Sequence, residues 1–473
     1  MKRASLTDAV FWGFLAVVVL APLPYGSVHL WSASLLSVLV AAALAAWAAV
    51  ALIRPDASPV RPRHYLAPLL LVAPVLVWIA LQACPAVPAG MVHPVWAKAG
   101  AALGGTLGPT ASLAPDATVS GLLRILTYVA VFWIAMQLGA DWRRASAAFW
   151  TIAAAGFAYA AYGLWAYLTQ PGTILFAQKW AYQLSLTGTL VNRGHYALYA
   201  GFGLLVSFGM MIRYARRDAS GAFDSSIRFL HSIENLRLPV FLFLGGCLVI
   251  ATALLLAQSR GGIVSTFAAL VAIVPLLLRA EGGSGGNDRR RSTAIVLAAL
   301  AASGLLLFAV SGERFMIRAF APGESAGGRS DVYALTLHAI AAAPLSGHGI
   351  GSFPAVFHLF RDAAFPAISP VYTEAHSVYL EFVSEAGIPA AVLYFAALAW
   401  IAGVCLRAAR RLRHHSVFPA IAAAAAILGA LHSLFDFGLQ IPGVAVSFAA
   451  LLGVGYGQAA ALHAADPPRR ESR

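Results

Sequence analysis

Three arginines stand where short polar motifs interrupt long apolar runs: Arg193 in Asn192-Arg193-Gly194-His195-Tyr196, Arg260 in Gln258-Ser259-Arg260-Gly261-Gly262, and Arg329 after Gly327-Gly328. A guanidinium fork matches phosphate oxygens in a bidentate way that an ammonium cannot. Ser330 is placed to cap a helix starting at Asp331, so Arg329 would stand beside a helix N-terminus, whose free amides and dipole also favour an anion. The two glycines after Arg260 would let a ligand approach the backbone. Any one of these arginines could instead snorkel to lipid headgroups or pair with Glu324, Asp331 or Asp362. Three at one interface favour a bound anion, and a lipid diphosphate fits both the charge and the depth.

His376 carries the group best suited to moving a proton near neutrality, since an unperturbed imidazole titrates at about 6.5. The pattern from Thr373 to Ser384 reads as helical, with Thr373 a possible cap and Pro389 marking the entry to the next apolar run. His376, Tyr379, Leu380 and Val383 would then share one face. Glu374, Glu381 and Glu385 could orient the histidine or merely solvate the helix. His432 and Asp436 lie at helical spacing near the end of another apolar run, where ionisable residues are costly unless paired or functional. They read either as a pair that locks helices together or as part of the chemistry, and His195 has the same ambiguity.

Other chemistries find no support. No Asp-x-Asp pair occurs, so a metal-dependent transferase is not indicated, and an already activated diphosphate leaving group would need only preorganised donors. There is no Walker loop or zinc spacing, and Cys84, Cys247 and Cys405 are scattered. No cofactor is expected. Gly347-His348-Gly349-Ile350-Gly351 has phosphate-cradle spacing but follows no strand, which rejects a dinucleotide fingerprint. The Gly-x-Ser-x-Gly match from Gly282 to Gly286 sits in a flexible linker rather than on a strand-turn-helix.

The elements that must position these residues are membrane helices. Hydrophobic residues make up 60% of the 473 positions and charged residues 11%, a balance that suits lipid rather than water. Apolar runs of about 20 residues span a hydrocarbon core of about 30 Å and must be helical to pair their own backbone groups. Twelve are expected, near 8–24, 28–53, 66–83, 120–139, 146–168, 196–212, 239–257, 263–279, 293–311, 387–406, 418–435 and 443–463, the first an uncleaved span. With the N-terminus inside, all but nine of the 32 Lys and Arg are cytoplasmic. The nine are Lys98, Arg124, Lys179, Arg193, Arg260, Arg314, Arg318, Arg329 and Arg361, so the candidate arginines are exceptions to the positive-inside bias. The net charge of +13 is accounted for by short cytoplasmic loops beside anionic lipid, and nucleic acid is not an expected partner. The external segment from Pro85 to Ser120 is expected along the membrane surface, and the segment 311–386 as a helical periplasmic cap.

These motifs, in this order, resemble the O-antigen ligase and O-antigen polymerase superfamily of bacterial envelope glycosyltransferases. Asn192-Arg193-Gly194-His195-Tyr196-Ala197 is similar to the family's Asn-Arg-Asn-His-Phe-Ala stretch, with Gly194 for Asn and Tyr196 for Phe. Ser259-Arg260-Gly261-Gly262 matches Ser-Arg-Gly-Gly. Arg329 and Pro344-Leu345-Ser346-Gly347-His348-Gly349 resemble its Gly-Arg and Pro-Leu-x-Gly-x-Gly pieces. His376-Ser377-Val378-Tyr379-Leu380 with Glu385-Ala386-Gly387, and His432 to Asp436 through Pro442, complete the set.

The resemblance implies a metal-independent, inverting transfer of a glycan from undecaprenyl diphosphate to an acceptor hydroxyl, at the periplasmic face of a bacterial inner membrane. It implies diphosphate-binding roles for Arg260 and Arg329, with Arg193 beside them, and a catalytic-base role for His376. His195, Tyr379, Glu385, His432 and Asp436 would support the site. The acceptor would be lipid A core, as in lipopolysaccharide ligation, or a growing polysaccharide, as in O-antigen or exopolysaccharide biosynthesis. A transporter or flippase of lipid-linked sugars is the alternative, but such a protein should bind its substrate near the midplane. The chain divides into N-terminal transmembrane helices (1–191), a ligase- or polymerase-like core (192–463) and a cytoplasmic tail (464–473).

Overall fold

The computed structural model describes residues 6–85, 87–105, 107–218, 238–277, 327–361, 372–411 and 416–465. The expected span 293–311 lies outside them. The remaining eleven expected spans are helices: α1 Leu6–Leu20, α2 Leu30–Ile53, α3 Pro62–Ala83, α5 Pro115–Leu138, α6 Trp142–Thr169, α7 Arg193–Asp218, α8 Leu238–Leu256, α9 Arg260–Leu277, α13 Ile388–Arg411, α14 Val417–His432 and α15 Pro442–Ala465. Among the described residues nine of these are long and apolar enough to cross a membrane, α1 and α14 being shorter. The protein is an all-α, multi-pass membrane protein. The remaining helices, α4 Val95–Leu103, α10 Gly327–Ala342, α11 Phe353–Phe360 and α12 Val378–Ala386, lie in the segments between spans.

Local chemistry sets the boundaries. Proline at the first helical turn starts α3 and α5, where its missing N–H costs nothing. Asp141 caps α6 by accepting from the Arg143 amide at 2.7 Å. Gly104, in the left-handed region at φ 66, ends α4. The exposed leucines, valines and tryptophans of α2, α3 and α8 face the position of lipid, whereas α7 and α15 are buried along most of their length. Those two form the core, and small residues bring their neighbours close. A Cβ on Gly156 of α6 would stand 3.0 Å from the Gly203 Cα of α7, and one on Gly453 would strike Ala135 of α5 at 2.7 Å.

The loops after α1, α3 and α6, the α8–α9 turn, the 344–387 region and the α14–α15 turn are hydrogen-bonded to one another on one face. Thr189 Oγ1 donates to Pro22 O at 2.8 Å, and Ser112, Leu113, Leu186 and Val378 amides donate to Gln82, His348, Leu256 and Ser433 carbonyls at 2.8 to 3.1 Å. This loop face carries every candidate residue. Between α6 and α7 it includes a minimal hairpin, β1 Thr173–Ile174 paired antiparallel with β2 Ala177–Gln178.

Two cap expectations are corrected. Helix α10 begins at Gly327, not Asp331, so Ser330 lies inside the first turn and Arg329 on it rather than before it. Helix α12 begins at Val378, not Thr373, and Ser377 is its cap, accepting from the Leu380 amide at 3.5 Å. His376 therefore precedes the helix and does not share a helical face with Tyr379, Leu380 and Val383. A serine with extended backbone directly before the apolar turn competes better for the cap than Thr373, whose hydroxyl is turned to Glu374.

Candidate functional site

His376 is held in the left-handed region, φ 56, a conformation that costs a non-glycine residue about 1–3 kcal/mol and persists only where its surroundings impose it. Three contacts impose it here. The Tyr333 hydroxyl of α10 donates to the His376 carbonyl at 3.1 Å. The preceding amide, Ala375 N–H, donates to Glu381 Oε2 at 2.7 Å. Ser377 is fixed as the α12 cap. The imidazole lies between two rings, Tyr372 at 5.6 Å and Phe437 at 5.3 Å, both edge-on.

Phe437 also meets His195 at 4.4 Å, so one phenyl ring bridges two histidines that stand 181 positions apart in the sequence. His195, on the first turn of α7, faces Asp436 Oδ1 at 3.5 Å, and His432 Nε2 faces Asp436 Oδ2 at 4.0 Å. Both are ion-pair distances, long for hydrogen bonds. Burial alone would raise the Asp436 carboxyl, but His195 and His432 hold it well below the usual carboxylate range. Helix α14 ends at His432, three residues before its expected end, and the chain turns with the Asp436 amide still bonded to the His432 carbonyl at 3.1 Å. The expected pair is thus a three-residue cluster. Gly194 makes room for it: a Cβ there would overlap Asp436 Oδ2.

Arg260 is the first residue of α9 and is exposed. Ser259 Oγ accepts from the Gly262 amide at 3.3 Å as the cap, and the next residue, Gly261, borders Phe435 of the α14–α15 turn. The expectation that both glycines admit a ligand is corrected at Gly262, where a Cβ would strike Ala197 of α7. That glycine serves helix packing. The Arg193 guanidinium lies 5.3 Å from the Tyr182 ring centroid. Arg329 is on the first turn of α10; its side chain lies outside the described residues, as do Glu324 and Asp362.

Glu385 and Glu381 are buried and act on the backbone rather than solvating α12. Glu385 Oε1 accepts from the Phe353 amide at 2.9 Å, and the carboxylate also takes the Gly351 amide. The glycine turn 347–351 is occupied by its own chain: the Gly351 amide meets the Glu385 carboxyl and the Gly349 amide donates to the Glu385 carbonyl at 2.8 Å. Gly347, Gly349 and Gly351 all have positive φ, and a Cβ would strike Glu385 O, Ser112 or Ala117 O, so the turn requires glycine at all three. Burial keeps both carboxyls above the usual range, as it does Glu374, which lies near enough to His195 and Arg124 to be stabilised by them. Tyr379 donates to Ala430 O at 2.9 Å and packs against Phe395, pinning α12 to α14.

A groove of about 610 Å³ opens beside this cluster among α3, α5, α13, α14 and α15. Val378, two residues after His376, and Ser433, next to His432, line it at the loop face, and Leu76 down to Tyr65 line it along α3. Eleven residues of helix at 1.5 Å each make that side about 16 Å deep. Its walls are mostly apolar, with Glu381 and Glu385 at the loop face, and among the described residues Arg124 is the one Lys or Arg lining it. Arg124 and Phe437 are the residues sequence reasoning passed over. The first was legible as an external arginine against the charge bias; the second carries no signal except its place after Asp436.

Residues 245–395 match the family described as O-antigen ligase. That segment, about a third of the chain, is similar to the family. The resemblance to the ligase and polymerase superfamily is thereby supported by a match that takes in Arg260, Arg329, His376, Tyr379 and Glu385. Arg193, His195, His432 and Asp436 lie outside the matched segment, and Phe437 links His195 to its histidine, His376. No curated protein matches the chain.

Proposed function

We propose that this membrane protein transfers a glycan from an undecaprenyl-diphosphate-linked donor to an acceptor hydroxyl at the periplasmic face of a bacterial inner membrane. The observation that carries the reading is the gathering of His376, His195 and Asp436 around Phe437, beside the α9 N-terminus and over an apolar groove. The ligase match supports glycan transfer in general. The groove suits a polyprenyl tail, and exposed Arg260 at a helix N-terminus suits the diphosphate.

In this mechanism the acceptor oxygen attacks the anomeric carbon from the face opposite the diphosphate, the anomeric C–O bond to phosphate breaks, and the configuration inverts. His376 takes the hydroxyl proton as the new glycosidic bond forms. Undecaprenyl diphosphate leaves with the bonding pair, and Arg260 and Arg329, with Arg193, offset its charge. Asp436 orients His195, and Glu381 fixes the loop that carries His376. No metal or cofactor enters the scheme.

His376→Ala is the direct test, with purified protein in lipid bilayers and with donor affinity, turnover and thermal stability read on one sample. Turnover falls by about 10²-fold or more, while donor affinity and stability hold. Near-normal turnover in the folded variant rules out the base assignment. A deletion strain separates the two acceptors: loss of long chains from lipopolysaccharide indicates a ligase, loss of polymer a polymerase.

A further inference from the structure

The loops after α1 and α6 place a set of aromatic rings on the loop face that the scheme above does not use. Tyr25, His29 and Trp180 have ring centroids 5.6, 6.3 and 6.4 Å apart. Tyr182 lies two residues on, against the Arg193 guanidinium. Residues 180–185 and Arg193 line a shallow hollow of about 470 Å³, and Trp180 is 62% exposed.

The backbone under these rings is built to hold them. Tyr25, Ser27 and Tyr182 all sit in the left-handed region, φ 55, 56 and 54, at about 1–3 kcal/mol each. Three of the six non-glycine residues in that region among the described residues are therefore here. Ser27 Oγ donates to Ala21 O at 2.7 Å, and the buried Lys179 ammonium closes the 179–185 loop on Ser185 O at 3.0 Å. Tryptophan and tyrosine also serve as interfacial anchors, but an anchor requires only depth and apolar bulk. It requires neither strained backbone nor a guanidinium in the same hollow.

We propose that this aromatic shelf seats a sugar ring of the lipid-linked donor, the pyranose nearest the diphosphate. The proposal rests on the donor reading above. A pyranose presents one face of C–H bonds, whose positive hydrogens fit the negative face of an aromatic ring, and its hydroxyls or the adjoining phosphate meet Arg193 at the edge. Trp180 and Tyr182 supply the stacking surface, and Tyr25 and His29 hold Trp180 upright. The site thereby reads the glycan separately from the lipid and the diphosphate.

The test compares two probes on the purified full chain in neutral-lipid nanodiscs: bare undecaprenyl diphosphate, and undecaprenyl diphosphate carrying one N-acetylhexosamine. Wild-type protein is expected to bind the glycosylated probe two- to tenfold more tightly for each ring that stacks. Trp180→Leu and Tyr182→Leu keep apolar bulk at the interface, and both should erase that preference; bare-lipid affinity should be unchanged in Trp180→Leu, since the ring against the Arg193 guanidinium is that of Tyr182. Trp180→Phe should retain part of it. Equal weakening of both probes by the leucine variants would assign the rings to membrane anchoring and overturn the proposal. So would an undiminished preference in those variants, or none in the wild type. Failure of the wild type to bind either probe instead overturns the donor reading, and the shelf's assignment with it.

Discussion

Gly194→Ala adds one methyl group at the most crowded point of the site. The new Cβ would overlap Asp436 Oδ2 and stand 3.2 Å from both Asp436 Cγ and Asn192 Oδ1, so the carboxylate must withdraw by about 1 Å. Asp436 now lies 3.5 Å from His195 and 4.0 Å from His432. At an effective dielectric of about 20, a further 1 Å weakens each contact by at most about 1 kcal/mol, the full value applying only to a charged imidazole. With the usual cost of overpacking, the loss is about 1–3 kcal/mol. If transfer depends on this arrangement, the rate falls by about 5- to 150-fold. The assay is glycan transfer in nanodiscs by Gly194→Ala, Asp436→Ala and the double variant, each checked for thermal stability. The double variant should be no worse than Asp436→Ala alone, because the clash and the contact involve the same carboxylate. A folded Gly194→Ala enzyme with wild-type turnover, or two losses that simply add, would refute the reasoning.

Arg260→Lys keeps the charge but loses the planar fork, and should weaken donor binding in a folded protein; unchanged affinity would reassign Arg260 to lipid contacts. His93 Nε2 lies 3.0 Å from His348 Nδ1, while the Val95 amide donates to His93 Nδ1 and His348 Nε2 meets Ala339 O. One tautomer order satisfies the whole chain, and any added proton breaks a bond in it. Burial lowers both histidines, His93 to about 4, so the stability they confer is complete above about pH 6.5 and lost as pH falls towards 4. That loss is about 1–2 kcal/mol after allowing for solvent screening. Thermal unfolding of His93→Gln should be less sensitive to pH across that window, and an identical pH profile would contradict the assignment. Reporters fused after Ala89, Gln178 and Pro354 should read periplasmic and those after Asp218, Gly286 and His414 cytoplasmic; the reverse result would remove the donor from the loop face.

The helices were legible because lipid imposes one simple requirement, a long apolar run with its own hydrogen bonds. The arginines stood out for the same reason, since charge bias leaves few of them outside. What remained hidden depends on pairs far apart in the chain. Gly194 reads as a departure from the family stretch until Asp436 is seen occupying the space. The glycine turn reads as an empty cradle until Glu385 is seen in it. His376 reads as a helical residue because the Thr373–Ser384 pattern is amphipathic, and only the contacts from Tyr333 and Glu381 reveal why the chain stays out of the helix there. Periodicity reports which side of an element is apolar; it is silent on which carbonyl another loop will hold.

Helix α15 is among the most buried. It packs against α5 and α14 on glycines that leave no room for a side chain, and the turn leading into it supplies Asp436 and Phe437. Both α5 and α14 precede it in the chain, so during synthesis they enter the membrane around a slot that stays open until α15 follows. The ring of Phe437 cannot settle between His376 and His195 before that slot is filled. The cluster is thus keyed to the insertion of one late helix rather than to any contact among the earlier ones.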